Sequence, residues 1–290
     1  MSTGGSGTSH ELVHRVQRSI DRTIGALPPR VARGIARDRT STVTNGRLMV
    51  LAPHPDDETL ACGVTIQRTL DRGNEVTVVV ASDGRYGDPE SVVPERMATI
   101  RKGELARATA VLGVSSSHLI MLGFEDATLS DHEDALAESI QEIIEINRPD
   151  VVISPCPWDL HPDHAALGRV ARTIVEGRSV LHLEYLVWGW DQPVRLAIRL
   201  GRRAISTRGS WTFPALPVVV DGTGYLDGKA EALACHSSQF SPTAVLHGRS
   251  VGGSGPLGSG FLRLMDYESE LFFPRSTNHR ASANVERQTC

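Results

Sequence analysis

Between residues 47 and 188, short apolar runs alternate with stretches whose apolar residues recur at helical spacing. The runs at 47–52, 75–81, 117–122, 151–154 and 182–188 have strand length, and the stretches at 58–72, 94–112, 131–147 and 164–176 have helix length. Leu60 and Val64 mark the inner face of the first helix, and Leu136, Ile140, Ile143 and Ile144 that of the third. Gly73-Asn74 and Gly113 act as stops. The strands are continuous apolar runs, the pattern of a parallel sheet covered by helices on both faces. The expected fold class is α/β: a Rossmann-like three-layer sandwich with a mostly parallel sheet. In such sheets ligands bind outside the carboxyl ends of the strands.

After residue 188 the alternation stops. Residues 193–217 carry Arg195, Arg199, Arg202, Arg203 and Arg208 with no acid among them, with Trp188, Trp190 and Trp211 at the borders. The stretch reads as a lid, as a docking surface for an anionic or lipid-linked substrate, or as a solvated helix face. Residues 227–235 read as another helix, and 250–260, rich in Gly and Ser, as a flexible loop. Upstream, Leu12, Val16, Ile20 and Ile24 recur every four residues with Arg15, Arg18 and Arg22 between them. A helix over residues 11–37 is expected there, broken at Pro28-Pro29. Its basic face suits a membrane surface or packing on the domain; Glu11, Asp21 and Asp38 interrupt that face and favour packing. The expected organisation is an N-terminal tail and helix over 1–46, one domain over 47–275, and a flexible tail over 276–290.

Composition narrows the class. The 290 residues are 40% hydrophobic and 22% charged, enough apolar material for a core, which excludes disorder over the whole length. A formal net charge of −4 lacks the basic excess of a nucleic-acid binder. Cys62, Cys156, Cys235 and Cys290 form no CxxC pair, which points away from a disulfide framework and toward a reducing compartment. No apolar run of membrane-spanning length occurs, and residues 1–10 lack an apolar signal core, so the expected location is cytoplasmic, with the inner membrane surface as an adjunct if the basic segments touch lipid.

Two clusters carry chemistry. Pro53-His54-Pro55-Asp56-Asp57-Glu58 follows the first strand and opens the first helix. An acid there can serve as helix cap, but a cap needs neither His54 nor two prolines beside it. His161-Pro162-Asp163-His164 follows the fourth strand and opens another helix. Both clusters lie at the carboxyl edge of the sheet, and together they indicate a metal site. A catalytic zinc takes about three His or carboxylate ligands. A further carboxylate can then take a proton from water, and a further His can serve the oxyanion or the leaving amine. His54, Asp56, Asp57, His161 and His164 supply that count.

These motifs resemble those of the LmbE-like, or PIG-L, family of zinc-dependent N-acetylglucosaminyl deacetylases, over about residues 47–240. The family's strand followed by (A/P)HPDDE is matched by residues 53–58, and its HPDH motif by residues 161–164. Weaker similarities are Arg101 and Glu104 before Gly113, Gly123-Phe124 with Asp126, and Lys229 followed by His236-Ser237-Ser238-Gln239. The resemblance implies a catalytic deacetylase domain over 47–275. His54, Asp57 and His164 would hold zinc, with ferrous iron as the alternative; Asp56 would be the general base; and His161 would stabilise the oxyanion or move a proton. It further implies sugar contacts for Arg101 and Asp126, and a supporting place behind the ligands for His236. The implied substrate is a small-molecule or lipid-linked N-acetyl amino sugar, with glucosaminyl-inositols, glucosaminyl-malate, glycosylphosphatidylinositol precursors and glycopeptide antibiotics as family examples. An amidase or deacylase acting on another N-acylated sugar or thiol-sugar conjugate is the alternative, followed by an inactive sugar-binding relative. Pro53, where alanine is common, and the arginine-rich stretch depart from the family pattern.

Overall fold

The computed structural model describes residues 27–87, 93–191, 216–262 and 266–275. Its helices are α1 (Leu27–Ile35), α2 (Thr40–Val43), α3 (Asp57–Asp71), α4 (Pro94–Val111), α5 (Glu133–Asn147), α6 (Pro162–Val175), α7 (Trp188–Asp191), α8 (Leu226–Ala234) and α9 (Ser259–Leu262). Its strands are β1 (Arg37–Asp38), β2 (Leu48–Ala52), β3 (Val76–Ser82), β4 (Leu119–Phe124), β5 (Val151–Pro155), β6 (Leu181–Tyr185), β7 (Val218–Asp221), β8 (Val245–Leu246), β9 (Arg249–Ser250) and β10 (Ser269–Pro274). All but β8 and β9 join one sheet in the order β1-β7-β10-β6-β5-β2-β3-β4.

Strands β4, β3, β2, β5 and β6 are mutually parallel, and β10 runs antiparallel between β6 and β7. Alternate residues of the central strands feed two separate cores, because successive side chains of a strand point to opposite faces. Leu48, Val50, Val78, Val80 and Ile153 meet α3, α4 and α8 on one face; Met49, Leu51, Val79 and Val152 meet α5 and α6 on the other. The result is the α/β three-layer sandwich read from the apolar runs.

Several local readings shift. Residues 116–118 form a 3-10 turn capped by the Ser115 hydroxyl, so β4 starts two residues late. Helix α6 starts at Pro162, whose missing N–H costs nothing in a first helical turn. Strand β6 ends at Tyr185, and Trp188 opens α7. Pro28-Pro29 lie in the first turn of α1, where a missing N–H is tolerated as at Pro162, and the run expected before them lies outside the described residues. Strands β1 and β7, of two and four residues, and β10, beyond the alternating region, were not anticipated. Residues 37–38 pair with β7, at one end of the sheet.

The expected flexible loop at 250–260 is instead tied down. Gly253 and Gly255 donate to Phe240 O, Ser254 donates to Ser237 O, and Val251 is fully buried. A Cβ on Gly253 would stand 1.9 Å from Ser237 O, so the glycine reflects close backbone approach rather than freedom. The basic repeat at 11–26, nearly all of the arginine stretch at 193–217 and the tail at 276–290 lie outside the described residues. Among the described residues, no helix is long and apolar enough to cross a membrane.

Candidate active site

The parallel strands deliver four turns to one edge: 53–56 after β2, 83–87 after β3, 125–129 after β4 and 156–161 after β5. Turn 53–56 contains the main backbone irregularity. Asp56 has φ 130° and ψ −28°, a region that L residues occupy at a cost of about 1–3 kcal/mol. It is the N-cap residue of α3, yet its carboxylate makes no cap hydrogen bond. The capping explanation for this acid therefore fails. Asp56 Oδ1 lies 3.3 Å from Arg101 Nη2 instead.

Asp57, buried, presents Oδ2 3.2 Å from His54 Nδ1 and 3.2 Å from His164 Nε2. Each imidazole is oriented by a carboxylate behind it. His164 Nδ1 lies 3.1 Å from Asp159 Oδ2, and Asp159 also accepts from the amides of Leu160 and Val187. A committed acceptor of this kind places the ring proton on Nδ1 and leaves Nε2 with a lone pair. That Nε2 is buried and has no hydrogen-bond partner among the described residues. His54 Nε2 lies 3.1 Å from both Asp163 Oδ2 and Asp126 Oδ1. Asp163 accepts from the amides of Ala127 and Leu129, and Asp126 from that of Tyr86. His54 Nδ1 is thereby also left to face Asp57.

Electrostatics agree. Burial pulls both imidazoles down, but the surrounding carboxylates outweigh it, holding His54 well above its ordinary value and lifting His164 to about 9. Burial pushes Asp57 up, and the two histidines outweigh it and hold it well below the carboxylate range. The centre thus favours added positive charge. Donor atoms around tetrahedral zinc at about 2.0–2.1 Å stand about 3.3 Å apart, close to both Asp57 separations. Among the described residues, two overlapping groups bring ligand atoms within 4.8 Å of one another: His54 with His161 and His164, and His54 with Asp126 and Asp163. A metal in the second group would need the His54 Nε2 lone pair, which turns the ring proton toward Asp57. Asp57 stands outside both groups, with Oδ2 3.2 Å from His54 Nδ1 and 3.2 Å from His164 Nε2.

His161 caps α6, accepting at Nδ1 from the Asp163 amide, 3.3 Å. Its Nε2 is left as a donor. Its ring centroid lies 4.7 Å from that of His54 and 5.2 Å from that of His164. Burial, together with His54 and His164, lowers it to about 4, so it is neutral near pH 7. Asp56 is pushed to about 7, chiefly by burial and then by Asp57, against Arg101.

Arg101 and Asp126, expected at the sugar, are both buried among protein partners. Arg101 donates to Gly84 O and Pro55 O besides meeting Asp56. His236 is fully buried and pairs with Glu58, with Nε2 3.2 Å from Oε1. The sequence reading gave no role to Asp159, Asp163 or Glu58. Asp163 and Glu58 sit inside the two motifs, whereas Asp159 carried no signal beyond its place in the preceding loop.

The family model described as PIG-L, GlcNAc-PI de-N-acetylase, matches residues 49–175. A probable N-acetyl-α-D-glucosaminyl L-malate deacetylase 2 of Bacillus cereus is 34% identical over 204 residues, 66% of this chain and 83% of the relative. A 1D-myo-inositol 2-acetamido-2-deoxy-α-D-glucopyranoside deacetylase of Streptomyces griseus is 26% identical over 67% of this chain and 75% of its own length. Among solved structures, an N,N'-diacetylchitobiose deacetylase of Pyrococcus horikoshii in an inhibitor complex superposes with a TM-score of 0.54. It is 24% identical, the match covering 70% of this chain and 74% of that one, and it supports the fold.

Proposed function

This chain belongs to the PIG-L family of de-N-acetylases, and on that premise we propose that it hydrolyses the N-acetyl amide of an N-acetylglucosamine-type sugar conjugate. The products are acetate and a free amine. The observation that carries the reading is the convergence of His54 Nδ1 and His164 Nε2 on Asp57 Oδ2, each at 3.2 Å. These three residues would hold a divalent ion, zinc or ferrous iron. Such an ion supplies Lewis-acid chemistry, polarising a carbonyl and lowering the pKa of water.

Asp56 takes the proton of the attacking water. A carboxyl near 7 is matched to accepting a proton at neutral pH and returning it to the departing nitrogen. His161, neutral with a donor at Nε2, hydrogen-bonds the oxygen on which negative charge develops. Water's O–H and the amide C–N bond break; the acyl carbon gains the hydroxyl and the nitrogen gains the proton.

Metal analysis of the purified protein, with acetate release measured over a panel of N-acetylglucosaminyl conjugates and longer N-acyl analogues, tests the reading. One bound zinc or iron per chain and preferential acetate release are expected. Preferential release of a longer acid would favour a deacylase, and sugar binding without release an inactive relative.

A further inference from the structure

Asp56 is the residue whose geometry most needs explaining, because its φ of 130° is unfavourable for any residue with a side chain. We infer that Glu58, held by His236, is the positioning residue that keeps Asp56 in this conformation, so that the carboxylate of the base stays on the reaction centre. The inference rests on the proposed role of Asp56 as base.

Three contacts at Glu58 carry it, supported by those of its neighbours. The Asp56 N–H donates to Glu58 Oε2 at 3.0 Å. The other oxygen, Oε1, lies 3.2 Å from His236 Nε2 and accepts from the Thr59 hydroxyl. Glu58 and His236 are both fully buried. The Glu58 carboxylate is therefore committed inside the protein, with no face left for substrate. His236 is held in turn: its neighbours Ser237 and Ser238 donate to the buried carboxylate of Glu104 on α4. From the opposite side Arg101 grips the Pro55 carbonyl and Asp56 Oδ1. The backbone of residue 56 is thus held by Glu58 and by Arg101, and among the described residues its carboxylate pairs with the Arg101 side chain. Three consecutive acids divide the work: Asp57 faces the two histidines, Asp56 faces Arg101, and Glu58 faces back to His236.

The test compares Glu58→Ala, Glu58→Gln, Glu58→Asp and Asp56→Asn on the panel substrate with the highest kcat/KM. Zinc content and the crystallographic φ of residue 56 are read alongside. Glu58→Ala is expected to lower kcat about 100-fold, with KM within about threefold and one zinc retained, because a misplaced base costs turnover rather than binding. Residue 56 should relax to negative φ. Glu58→Gln keeps an acceptor for the Asp56 N–H, and the free His236 Nδ1 allows the tautomer this needs, so kcat should stay within about fivefold of wild type. If Glu58→Ala does not fold, Glu58→Asp replaces it: charge is kept, reach is shortened by one methylene, and the same loss is expected. The inference is overturned if residue 56 keeps its positive φ with kcat within about threefold, or if the loss follows zinc content. Full activity in Asp56→Asn would instead sink the assignment of the base, a separate failure.

Discussion

Asp57 Oδ2 stands 3.2 Å from His164 Nε2, a buried nitrogen with no hydrogen-bond partner among the described residues. A lone pair and a carboxylate oxygen so close are mutually repulsive unless a cation lies between them. A proton or a metal ion serves, and the Asp159 hydrogen bond at Nδ1 orients the ring so that Nε2 faces Asp57 in either case.

Removing that support should weaken metal binding without abolishing it. Asp159→Asn is expected to raise the zinc dissociation constant about 10–100-fold, the usual range for a partner behind a ligand. His164→Ala should leave substoichiometric zinc. Chelator competition measures both, and wild-type affinity in Asp159→Asn would contradict the tautomer argument.

Asp56→Asn should retain one zinc per chain yet lose at least about 10²-fold in kcat, since the amide cannot accept a proton. Acetate release by the zinc-loaded variant is the measurement. Loss of zinc together with activity would move Asp56 into the ligand set.

Acid should destabilise the fold through His182. This imidazole is fully buried on β6, bonded at Nε2 to Ser154 Oγ at 2.8 Å, with Nδ1 unpartnered among the described residues. Burial lowers it to about 4; Glu184 opposes this, while Arg172 and Arg275 add to it. The unfolded chain takes up this proton near pH 6.5 and the folded chain only near 4, so the contribution is complete above 6.5 and is lost as pH falls toward 4. At about 1.4 kcal/mol per pH unit the loss amounts to about 3 kcal/mol. Urea midpoints from pH 7 to 4 should fall more steeply for wild type than for His182→Asn, and equal slopes would remove His182 from the account.

Gly253→Ala should be among the costlier glycine substitutions here. Its Cβ would meet the Ser237 carbonyl, a backbone atom that cannot swing aside, and displacement would pass to His236 next to it. A loss of about 1–3 kcal/mol in unfolding free energy is expected, with lower kcat. Gly34→Ala, where a Cβ meets nothing within 4 Å, is the control.

The periodic part of the sequence carried the sheet, because strands buried on both faces must be apolar throughout and helices over them must show a stripe. That is why β2, β3 and β5 with α3 to α6 were legible within a few residues, and why two motifs at strand ends marked the site's place. Strands β7 and β10 were not legible: they lie beyond the strand–helix alternation, β7 has only four residues, and each pairs antiparallel with the other across about fifty residues of sequence. The 250–260 segment failed for a related reason, since glycine looks alike whether it permits motion or close approach. His54, Asp56, Asp57, His161 and His164 were readable as a chemical cluster from residue type and spacing, while the division of that set into His54, Asp57 and His164 as ligands came from the family resemblance. That Glu58 turns inward to His236, that Arg101 grips Asp56, and that Asp159 orients His164 depend on contacts between distant segments. Only the folded chain decides these, because burial dictates which polar groups must find partners and the packing of separate elements dictates which partners are in reach.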